Sequence, residues 1–344
     1  MTPSIRPEGA ADWERATPPA ELAAAGAPTI ATENVPLCPV CGGPRFAVLA
    51  VAFDYELLTC ANPWRFVRCA DCAHVRLHPR PAVSTLPVIY PPTYYSYNYE
   101  TGIHPVAVKA KAMLDRRKLR GILAALPRPP RSYCDVGCGS GRFLRQMAGL
   151  GVPRERVHGL ELDAAVLRPL ADEGYRVFAE RVEECRGIAD GSLDLVTMFH
   201  VIEHVADPGA VVERVAGWLA PGGIFAVETP NVDSLDARLF ARTYWGGYHV
   251  PRHWNLFRPE TLARLLRDRG LELVATRFET GHSFWMYSFH HWLRYEGRPW
   301  PRLARLFDPF RDVALLAAFT ALDRARAGLG LRTSAMLVLA RRPG

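Results

Sequence analysis

Chemistry is indicated most clearly by a glycine-rich stretch that follows an acidic residue. A short run of β-forming residues ends at Asp135, and Gly137, Gly139 and Gly141 follow at alternate positions. Glycine lets the backbone turn sharply and lie against a ligand, where a Cβ would intrude. The amides of such a turn and of the helix after it point into the same space. The pattern therefore predicts a ligand-binding loop between a strand and a helix.

A second acidic residue, Glu161, ends the next β-like run, Arg156 to Leu160. A carboxylate at the end of a second strand can accept hydrogen bonds from ribose hydroxyls. The glycine spacing differs from the G-x-G-x-x-G of dinucleotide enzymes, and the sequence contains no G-x-x-x-x-G-K-[ST] phosphate loop. The D-x-G-x-G-x-G pattern followed by such an acid resembles the class I S-adenosylmethionine-dependent methyltransferases.

This resemblance implies that S-adenosylmethionine is the cofactor. Asp135 and the glycine loop would hold its amino-acid end, and Glu161 would hold the ribose hydroxyls. Phe199 is included in the predicted cofactor site. The alternative is an ordinary strand–turn–helix whose glycines serve only packing. The stretch from Asp194 to Pro208 resembles the fourth-strand motif of the same family, which supports the assignment independently of the glycines.

His200 is the first candidate for a general base. It follows the fourth strand, and an unperturbed imidazole has a pKa of about 6.5. A base that takes the proton of a hydroxyl acceptor contributes roughly 10²–10⁴-fold to the rate. Glu203 is also placed in the catalytic set. The quinone O-methyltransferases of the family carry a metal-binding Glu-x-x-Glu-His here, so Glu203 and His204 either bind a metal or, as we favour, orient the loop.

A second cluster of polar and aromatic residues follows the fifth strand, first over 228–231 and then between Tyr244 and Phe257. A segment broken by proline and rich in these residues suits the wall of an acceptor pocket. His249 or His253 could replace His200 as the base, and Arg252 could grip an acidic group of the acceptor. A hydrogen-bonded structural loop is the alternative.

Four cysteines form two pairs, Cys38-x-x-Cys41 and Cys69-x-x-Cys72. Four thiolates spaced in this way can surround a zinc ion tetrahedrally and leave no open coordination position, so the predicted zinc is structural. The segment between the pairs is too small to fold on its own core, and metal binding would supply the missing stability. A redox dithiol is the competing interpretation. The remaining cysteines are interpreted as buried or incidental thiols: Cys60, Cys134, Cys138 and Cys185.

These motifs require a scaffold in which strands and helices alternate. Beyond the glycine loop, the hydrophobic pattern predicts strands over 175–178, 193–199, 223–228 and 271–276, and helices over 164–172, 209–219 and 260–269. Such alternation is typical of an α/β fold with a doubly wound, mainly parallel sheet. The resemblance implies seven strands in a Rossmann-like order, with an antiparallel last strand over 334–340.

The predicted domain organisation places a small zinc-binding ribbon before this sheet. Residues 1–34 are predicted to be a disordered leader, 35–80 the ribbon, and 81–130 a linker with a leading helix over 106–126. Within the linker, the tyrosine-rich stretch up to residue 100 either straps an acceptor pocket or packs the ribbon onto the core. Residues 131–344 form the predicted methyltransferase domain, with an insertion or lid over 277–333.

Composition and charge limit the classes of binding partner that the sequence favours. The chain has 344 residues and a formal net charge of +7, which arginine carries almost entirely. These arginines are scattered and often alternate with acids, so nucleic acid is an unlikely partner. No signal peptide or membrane-spanning run is visible, which predicts a cytoplasmic protein. Residues 312–326 could contact a membrane surface peripherally, or pack into their own domain or a homodimer partner.

The sequence therefore predicts methyl transfer from S-adenosylmethionine to a small-molecule, sugar or glycan-lipid acceptor, on oxygen. Carbon methylation of a nucleotide-linked sugar is the nearest alternative, because the bases would look alike in sequence. A zinc-ribbon RNA methyltransferase is a second alternative, although the ribbon lacks a dense basic and aromatic face. A scaffold that binds no cofactor is a third, and the intact glycine loop with Glu161 argues against it.

Overall fold

The computed structural model describes residues 18–91, 105–296 and 300–344, and the side chains from residue 112 onward in the leading helix. The described chain divides into two compact units. The ribbon unit takes the described residues of Met1–Pro92, Asn231–Arg258 and Thr280–Ser334. The sheet unit takes those of Thr93–Pro230, Pro259–Glu279 and Ala335–Gly344. Each unit is therefore built from segments that are distant in sequence.

The described residues form strands and helices with the following bounds. The strands are β1 (Thr32–Glu33), β2 (Phe46–Ala52), β3 (Trp64–Cys69), β4 (Val75–Leu77), β5 (Arg80–Pro81), β6 (Tyr133–Val136), β7 (Val157–Leu160), β8 (Arg176–Phe178), β9 (Leu193–Phe199), β10 (Leu219–Pro230), β11 (Asn255–Leu256), β12 (Glu272–Glu279) and β13 (Ala335–Arg341). The helices are α1 (Ala20–Ala24), α2 (Leu86–Ile89), α3 (Pro105–Leu123), α4 (Arg142–Gly149), α5 (Ala164–Asp172), α6 (Pro208–Trp218), α7 (Leu235–Leu239), α8 (Pro259–Arg267), α9 (His282–Tyr295), α10 (Pro301–Ala304) and α11 (Val313–Gly328).

The sheet unit contains a seven-stranded sheet in the order β12-β13-β10-β9-β6-β7-β8. Strands β8, β7, β6, β9 and β10 pair in parallel, whereas β13 is antiparallel to both β10 and β12. The predicted fold class, a doubly wound and mainly parallel Rossmann-like sheet, is confirmed. The C-terminal ends of β6, β7, β9 and β10 lie along one edge of this sheet, where open α/β sheets bind ligands.

Hydrophobic runs explain why the central strands form. In β9 and β10 nearly every side chain is buried, as expected for parallel strands covered by helices on both faces. Two of the covering helices, α5 and α6, begin at side-chain caps: Asp163 accepts a hydrogen bond from the amide of Ala165 at 2.8 Å, and Asp207 accepts one from that of Ala210 at 3.0 Å. Strand and helix patterns therefore agree with the sheet that they build.

The ribbon unit contains a four-stranded antiparallel sheet in the order β11-β4-β3-β2. Its edge strand β11 comes from the segment predicted to belong to the methyltransferase domain, and it pairs Asn255 with Arg76 and Leu256 with Val75. The predicted disordered leader is wrong for residues 18–34, the part of it that the structure describes. There α1 buries Leu22, and β1 pairs with β5. The tyrosine-rich stretch over 92–100 lies outside the described residues.

The predicted insertion over 277–333 is largely helical. It contains α9, α10 and α11, and its first residues extend β12. In α11, Phe319 stacks on Trp285 with ring centroids 5.6 Å apart. The buried carboxylate of Asp323 accepts hydrogen bonds from the amide of Gly281 and from Nε1 of Trp285. One face of α11 therefore packs within its own unit. Among the helices of the described chain, none has the length and apolarity to cross a bilayer.

Candidate active site and cysteine cluster

The glycine loop joins β6 to α4 in the sheet unit. All three glycines have positive φ angles, +74° at Gly137, +48° at Gly139 and +80° at Gly141. The amides of Gly137 and Cys138 both donate to the carbonyl oxygen of Leu160, at 2.8 and 3.0 Å. Residues with a Cβ rarely adopt such angles, so the sequence requirement for glycine here is conformational.

The three glycines differ in the space that is available for a side chain. A Cβ at Gly137 would lie 2.3 Å from a methyl group of Val201, and one at Gly141 would lie 2.3 Å from a methyl group of Leu170. A Cβ at Gly139 would meet nothing within 4 Å. The outer glycines therefore allow close packing inside the unit, whereas the middle glycine borders open space.

The carboxylate of Glu161 lies at this open space. One oxygen accepts a hydrogen bond from the amide of Gly139 at 3.3 Å, and the other accepts one from the amide of Leu162 at 2.8 Å. The structure thus brings the acid after β7 to the middle glycine of the loop, as the sequence predicts. A loop with open space above Gly139 and an adjacent carboxylate fits the sugar of a nucleoside cofactor.

Asp135 is buried below the loop. Its Oδ1 accepts a hydrogen bond from the hydroxyl of Thr197 at 2.6 Å, and Thr197 in turn lies 2.6 Å from the hydroxyl of Tyr133. Burial raises the pKa of Asp135 to about 7, although the hydrogen bond from Thr197 opposes the shift. The carboxyl group therefore links β6 to β9, and its predicted contact with the cofactor stays a prediction.

Phe199 ends β9 and is only partly buried. Its ring packs edge-on against Phe143 with centroids 5.0 Å apart, and the Nζ of Lys118 lies 5.1 Å from its centroid. Phe143 belongs to α4, directly after the glycine loop. The predicted cofactor residue Phe199 is therefore placed beside the first turn of that helix.

His200 follows β9 with a positive φ of +56°, which is uncommon for a residue with a side chain. Its amide donates to the carbonyl oxygen of Glu228 at 2.9 Å. Its Nδ1 lies 3.3 Å from a carboxylate oxygen of Glu203, and its Nε2 lies 3.5 Å from one of Glu228. The side chain is 43% exposed, whereas both carboxylates are buried. The structure therefore holds an accessible imidazole between two buried acids.

The two acids change the charge state of the imidazole. Burial alone would lower the pKa of His200, but Glu203 and Glu228 raise it to about 9. Burial alone would also raise the pKa of Glu228, but Lys118 and His200 hold it well below its usual range. The pKa of His200 therefore lies above that of an unperturbed imidazole. Glu203 also accepts a hydrogen bond from the hydroxyl of Thr229 at 3.0 Å, which agrees with an orienting role.

Sequence reasoning placed Glu228 in the second cluster and not beside His200, and it did not identify Lys118. The place of Glu228 beside His200 could have been found, because Glu228 lies near the end of β10 and pairs with Phe199 across a parallel ladder. Lys118 gives no such signal, since it comes from α3, 110 residues earlier in the chain. Its ammonium group contacts the carboxylate of Glu228 directly.

The histidines of the second predicted cluster lie in the ribbon unit. His249 has a φ of +38°, and its Nδ1 lies 2.8 Å from a carboxylate oxygen of Glu56. His253 is buried with its Nδ1 2.8 Å from the carbonyl oxygen of Gly247. His249, Glu56 and His291 line a small cavity of about 10 Å³, together with Tyr55 and aromatic neighbours. Both histidines are therefore held by polar partners, and their roles as bases stay predictions.

Arg252 does not present its side chain to an acceptor. It is completely buried, and its Nη1 and Nη2 donate to the two carboxylate oxygens of Asp54 at 3.2 and 3.1 Å. Its Nε donates to the carbonyl oxygen of Ile89 at 2.7 Å. The prediction that Arg252 grips an acidic acceptor is therefore wrong. This ion pair instead ties three parts of the ribbon unit together.

The four paired cysteines meet in the ribbon unit. Their sulphur atoms all lie within 4.8 Å of one another, with 3.6 Å between Cys38 and Cys72 and between Cys41 and Cys69. Tetrahedral zinc with bonds of about 2.3 Å separates its sulphurs by about 3.8 Å. The two turns are alike, because the amides of Gly42 and Ala73 donate to the carbonyl oxygens of Cys38 and Cys69.

A buried arginine next to the cluster supports a metal with four thiolates. Arg76 lies within electrostatic range of the cysteines, and its ring neighbour is Phe46, 4.9 Å away. Its Nη1 donates to the carbonyl oxygen of Val35, whereas its Nε and Nη2 have no hydrogen-bond partner in the described structure. Zinc with four thiolates carries a net charge of minus two, so a buried cation at this place fits the group.

Comparisons with known proteins match this chain to methyltransferases. The family model described as a methyltransferase domain matches residues 111–276. A ubiquinone biosynthesis O-methyltransferase from Thiobacillus denitrificans is 31% identical over 169 residues, which cover 45% of this chain and 70% of that protein. One from Cupriavidus pinatubonensis is 34% identical over 162 residues, 43% of this chain and 62% of that protein. A SAM-dependent methyltransferase structure from Archaeoglobus fulgidus aligns with 17% identity and a TM-score of 0.44, over 67% of this chain and 94% of that one.

The sheet order, the glycine loop and these relatives define a class of enzyme. The chain belongs to the S-adenosylmethionine-dependent methyltransferases. The relatives match less than half of the chain, and the chain covers between 62% and 70% of the two relatives described above. The similarity therefore establishes the family and leaves the acceptor to be inferred from the site.

The predicted cofactor contact of Glu161 can be tested by direct binding. Replacing Glu161 with alanine should weaken binding of S-adenosylhomocysteine by about 10–100-fold, because a charge-assisted hydrogen bond contributes roughly 1.5–3 kcal/mol. Titration calorimetry measures the change. Asp190→Ala, which removes an exposed carboxylate from the same unit, serves as the control and should bind normally. Unchanged affinity in Glu161→Ala would contradict the assignment.

Proposed function

We propose that this chain is an O-methyltransferase that acts on a hydroxyl group of a small-molecule acceptor. The observation that carries the proposal is the imidazole of His200, held between the carboxylates of Glu203 and Glu228. The relatives named O-methyltransferases support oxygen as the methylated atom. Val201, directly after His200, borders Gly137, so this histidine lies in the loop next to the predicted cofactor loop.

The chemistry asks little of the protein beyond positioning and one proton transfer. When bound, S-adenosylmethionine supplies an activated methyl group on a sulfonium, and the in-line displacement needs an oriented acceptor in a site with little water. His200 in its neutral form accepts the hydroxyl proton, and the two carboxylates stabilise the resulting imidazolium. Such a base suits an acidic hydroxyl, because proton transfer is most efficient between groups of similar pKa.

Sugar hydroxyls and lipid-linked glycans are narrower forms of this proposal. They rest on the sequence motifs, and the site geometry favours none of them over the others.

The four cysteines are proposed to hold one structural zinc ion. Four sulphur ligands leave no open position on that ion, so the zinc supports the ribbon unit and takes no part in methyl transfer.

The proposal is tested by offering the purified full chain S-adenosylmethionine with separate panels of phenols, nucleotide-linked sugars, lipid-linked glycans and RNA. The expected product gains the mass of one CH₂ group, and its new methyl carries the carbon chemical shift of a methyl ether. A methyl group on carbon or in RNA would contradict the proposal. Hydrolysis of the cofactor without any methylated product from these panels would also contradict it.

A further inference from the structure

One short segment of the ribbon unit, residues 300–311, has two apolar faces. We name it the 300–311 segment; it comprises Trp300, helix α10, a turn of 3₁₀-helix over Arg305–Phe307, and the residues to Arg311. Its inner face is packed against α9. Ala304 is buried, its carbonyl oxygen lies 2.9 Å from Nδ1 of His290, and Phe307 stacks on Phe289 with centroids 5.0 Å apart.

The outer face exposes large apolar side chains to solvent. The exposed fractions are 63% for Trp300, 39% for Leu303, 50% for Leu306 and 37% for Phe310. Trp300, Leu303 and Leu306 are spaced three residues apart along α10 and the 3₁₀ turn, which places these three side chains along one side of the segment. The segment is already anchored by its inner face, so its own folding does not require the second apolar face. Contiguous exposed apolar groups of this kind mark interaction surfaces.

The charges beside this face select the partner. Arg302 and Arg305 are exposed, and their side chains form no hydrogen bond or ion pair within the described residues. Arg311 is paired with the acidic Asp308 at 3.2 Å, so the segment retains an excess of positive charge. A protein partner would ordinarily match unpaired arginines with acids at fixed positions. On a lipid surface the negative charge is spread over many headgroups, so no fixed acidic partner is needed. Arginines bind such a surface when they lie at the edge of the apolar groups.

We propose that the 300–311 segment binds the surface of a bilayer that contains anionic phospholipids. Trp300, Leu303 and Leu306 would enter the boundary between headgroups and acyl chains, while Arg302 and Arg305 would lie among the phosphates. The proposal is independent of the acceptor and of the methylated atom. It places the contact just before residues 312–326, for which the sequence left peripheral membrane contact open beside packing in the same domain or a homodimer.

The test uses the full chain and sedimentation with vesicles of phosphatidylcholine, with or without phosphatidylglycerol. The wild-type chain should bind the anionic vesicles, and raising the salt concentration should weaken this binding. Arg302→Gln combined with Arg305→Gln should lower the partition coefficient by about 10–30-fold, since each basic residue near an anionic surface contributes at most about fivefold. Trp300→Ser combined with Leu306→Ser should lower it at least tenfold even on vesicles rich in anionic lipid.

A matched control comes from the same unit. Leu329 is 76% exposed and lies outside the 300–311 segment, so Leu329→Ser should bind vesicles as the wild type does. Far-ultraviolet circular dichroism confirms that each variant is folded. Binding that is absent in the wild type, or reduced equally in Leu329→Ser, would overturn the proposal. A concentration-dependent dimer that Trp300→Ser with Leu306→Ser disrupts, without vesicle binding by the wild type, would overturn it in favour of a second copy of the chain.

Discussion

Replacing His200 with alanine is expected to slow methyl transfer by about 10²–10⁴-fold, the usual contribution of a positioned general base. Affinity for S-adenosylhomocysteine should change little, because the cofactor contacts are assigned to the glycine loop and Glu161. Single-turnover rates and calorimetric binding to the same preparations separate the two effects. Full activity in His200→Ala would show that the base is another group, and His249 and His253 would be the next candidates.

The pH dependence makes this prediction more specific. The raised pKa of His200, about 9, means that only about 1% of the imidazole is neutral at pH 7. Because the base must be neutral, kcat/KM should rise with pH through the range below 9. Glu203→Gln removes one of the two carboxylates that raise this pKa, so the midpoint of the rise should move to lower pH. The range from about pH 6 to about pH 9 runs from the ordinary to the raised pKa of the imidazole. If kcat/KM of the wild type were constant over this range, or if Glu203→Gln left the midpoint unmoved, the role of His200 would be contradicted.

Local hydrophobic patterns predicted the scaffold well. Strand β9 and helix α5 have the predicted bounds. In each of them, a run of hydrophobic residues is flanked on both sides by polar or glycine-containing sequence, which marks where the element begins and ends. Strand β10 is longer than predicted, since it begins before the glycine turn at residues 222–223 and crosses a register shift there. Strands and helices whose hydrophobic pattern lies within one short stretch of sequence can therefore be predicted from the sequence.

Contacts between segments that are distant in sequence were not accessible in this way. Asp54 and Arg252 are 198 residues apart, and Glu56 and His249 are 193 apart, yet each pair is in contact inside the ribbon unit. A lone arginine between histidines suggested an anion-binding residue, because its buried partner lies in a different part of the sequence. The same limit applies to Lys118, whose ammonium group contacts Glu228, one of the two acids beside His200. Motifs identified the candidate residues, and only tertiary contacts distinguished an accessible imidazole from a buried ion pair.

Replacing Cys38 with serine is expected to remove the zinc ion from the ribbon unit and to destabilise that unit strongly. Serine is a poor ligand for zinc, and metal binding contributes about 10–16 kcal/mol to the folding of zinc-finger peptides. The wild-type chain should contain one zinc ion, whereas Cys38→Ser should contain little after dialysis against a chelator. Elemental analysis measures the metal, and thermal unfolding should show a lower midpoint for the variant.

Cys60→Ser separates ligand loss from the general cost of changing a buried cysteine. Cys60 is fully buried in the same unit but lies outside the four-sulphur cluster. Its replacement should lower stability modestly, because a buried hydroxyl replaces an apolar thiol, while the zinc content stays at one per chain. A wild-type chain without bound metal would contradict the zinc site. A Cys38→Ser variant that keeps its zinc against the chelator would show that Cys38 is not a ligand, because a site with three remaining cysteines should lose the ion faster than the intact cluster.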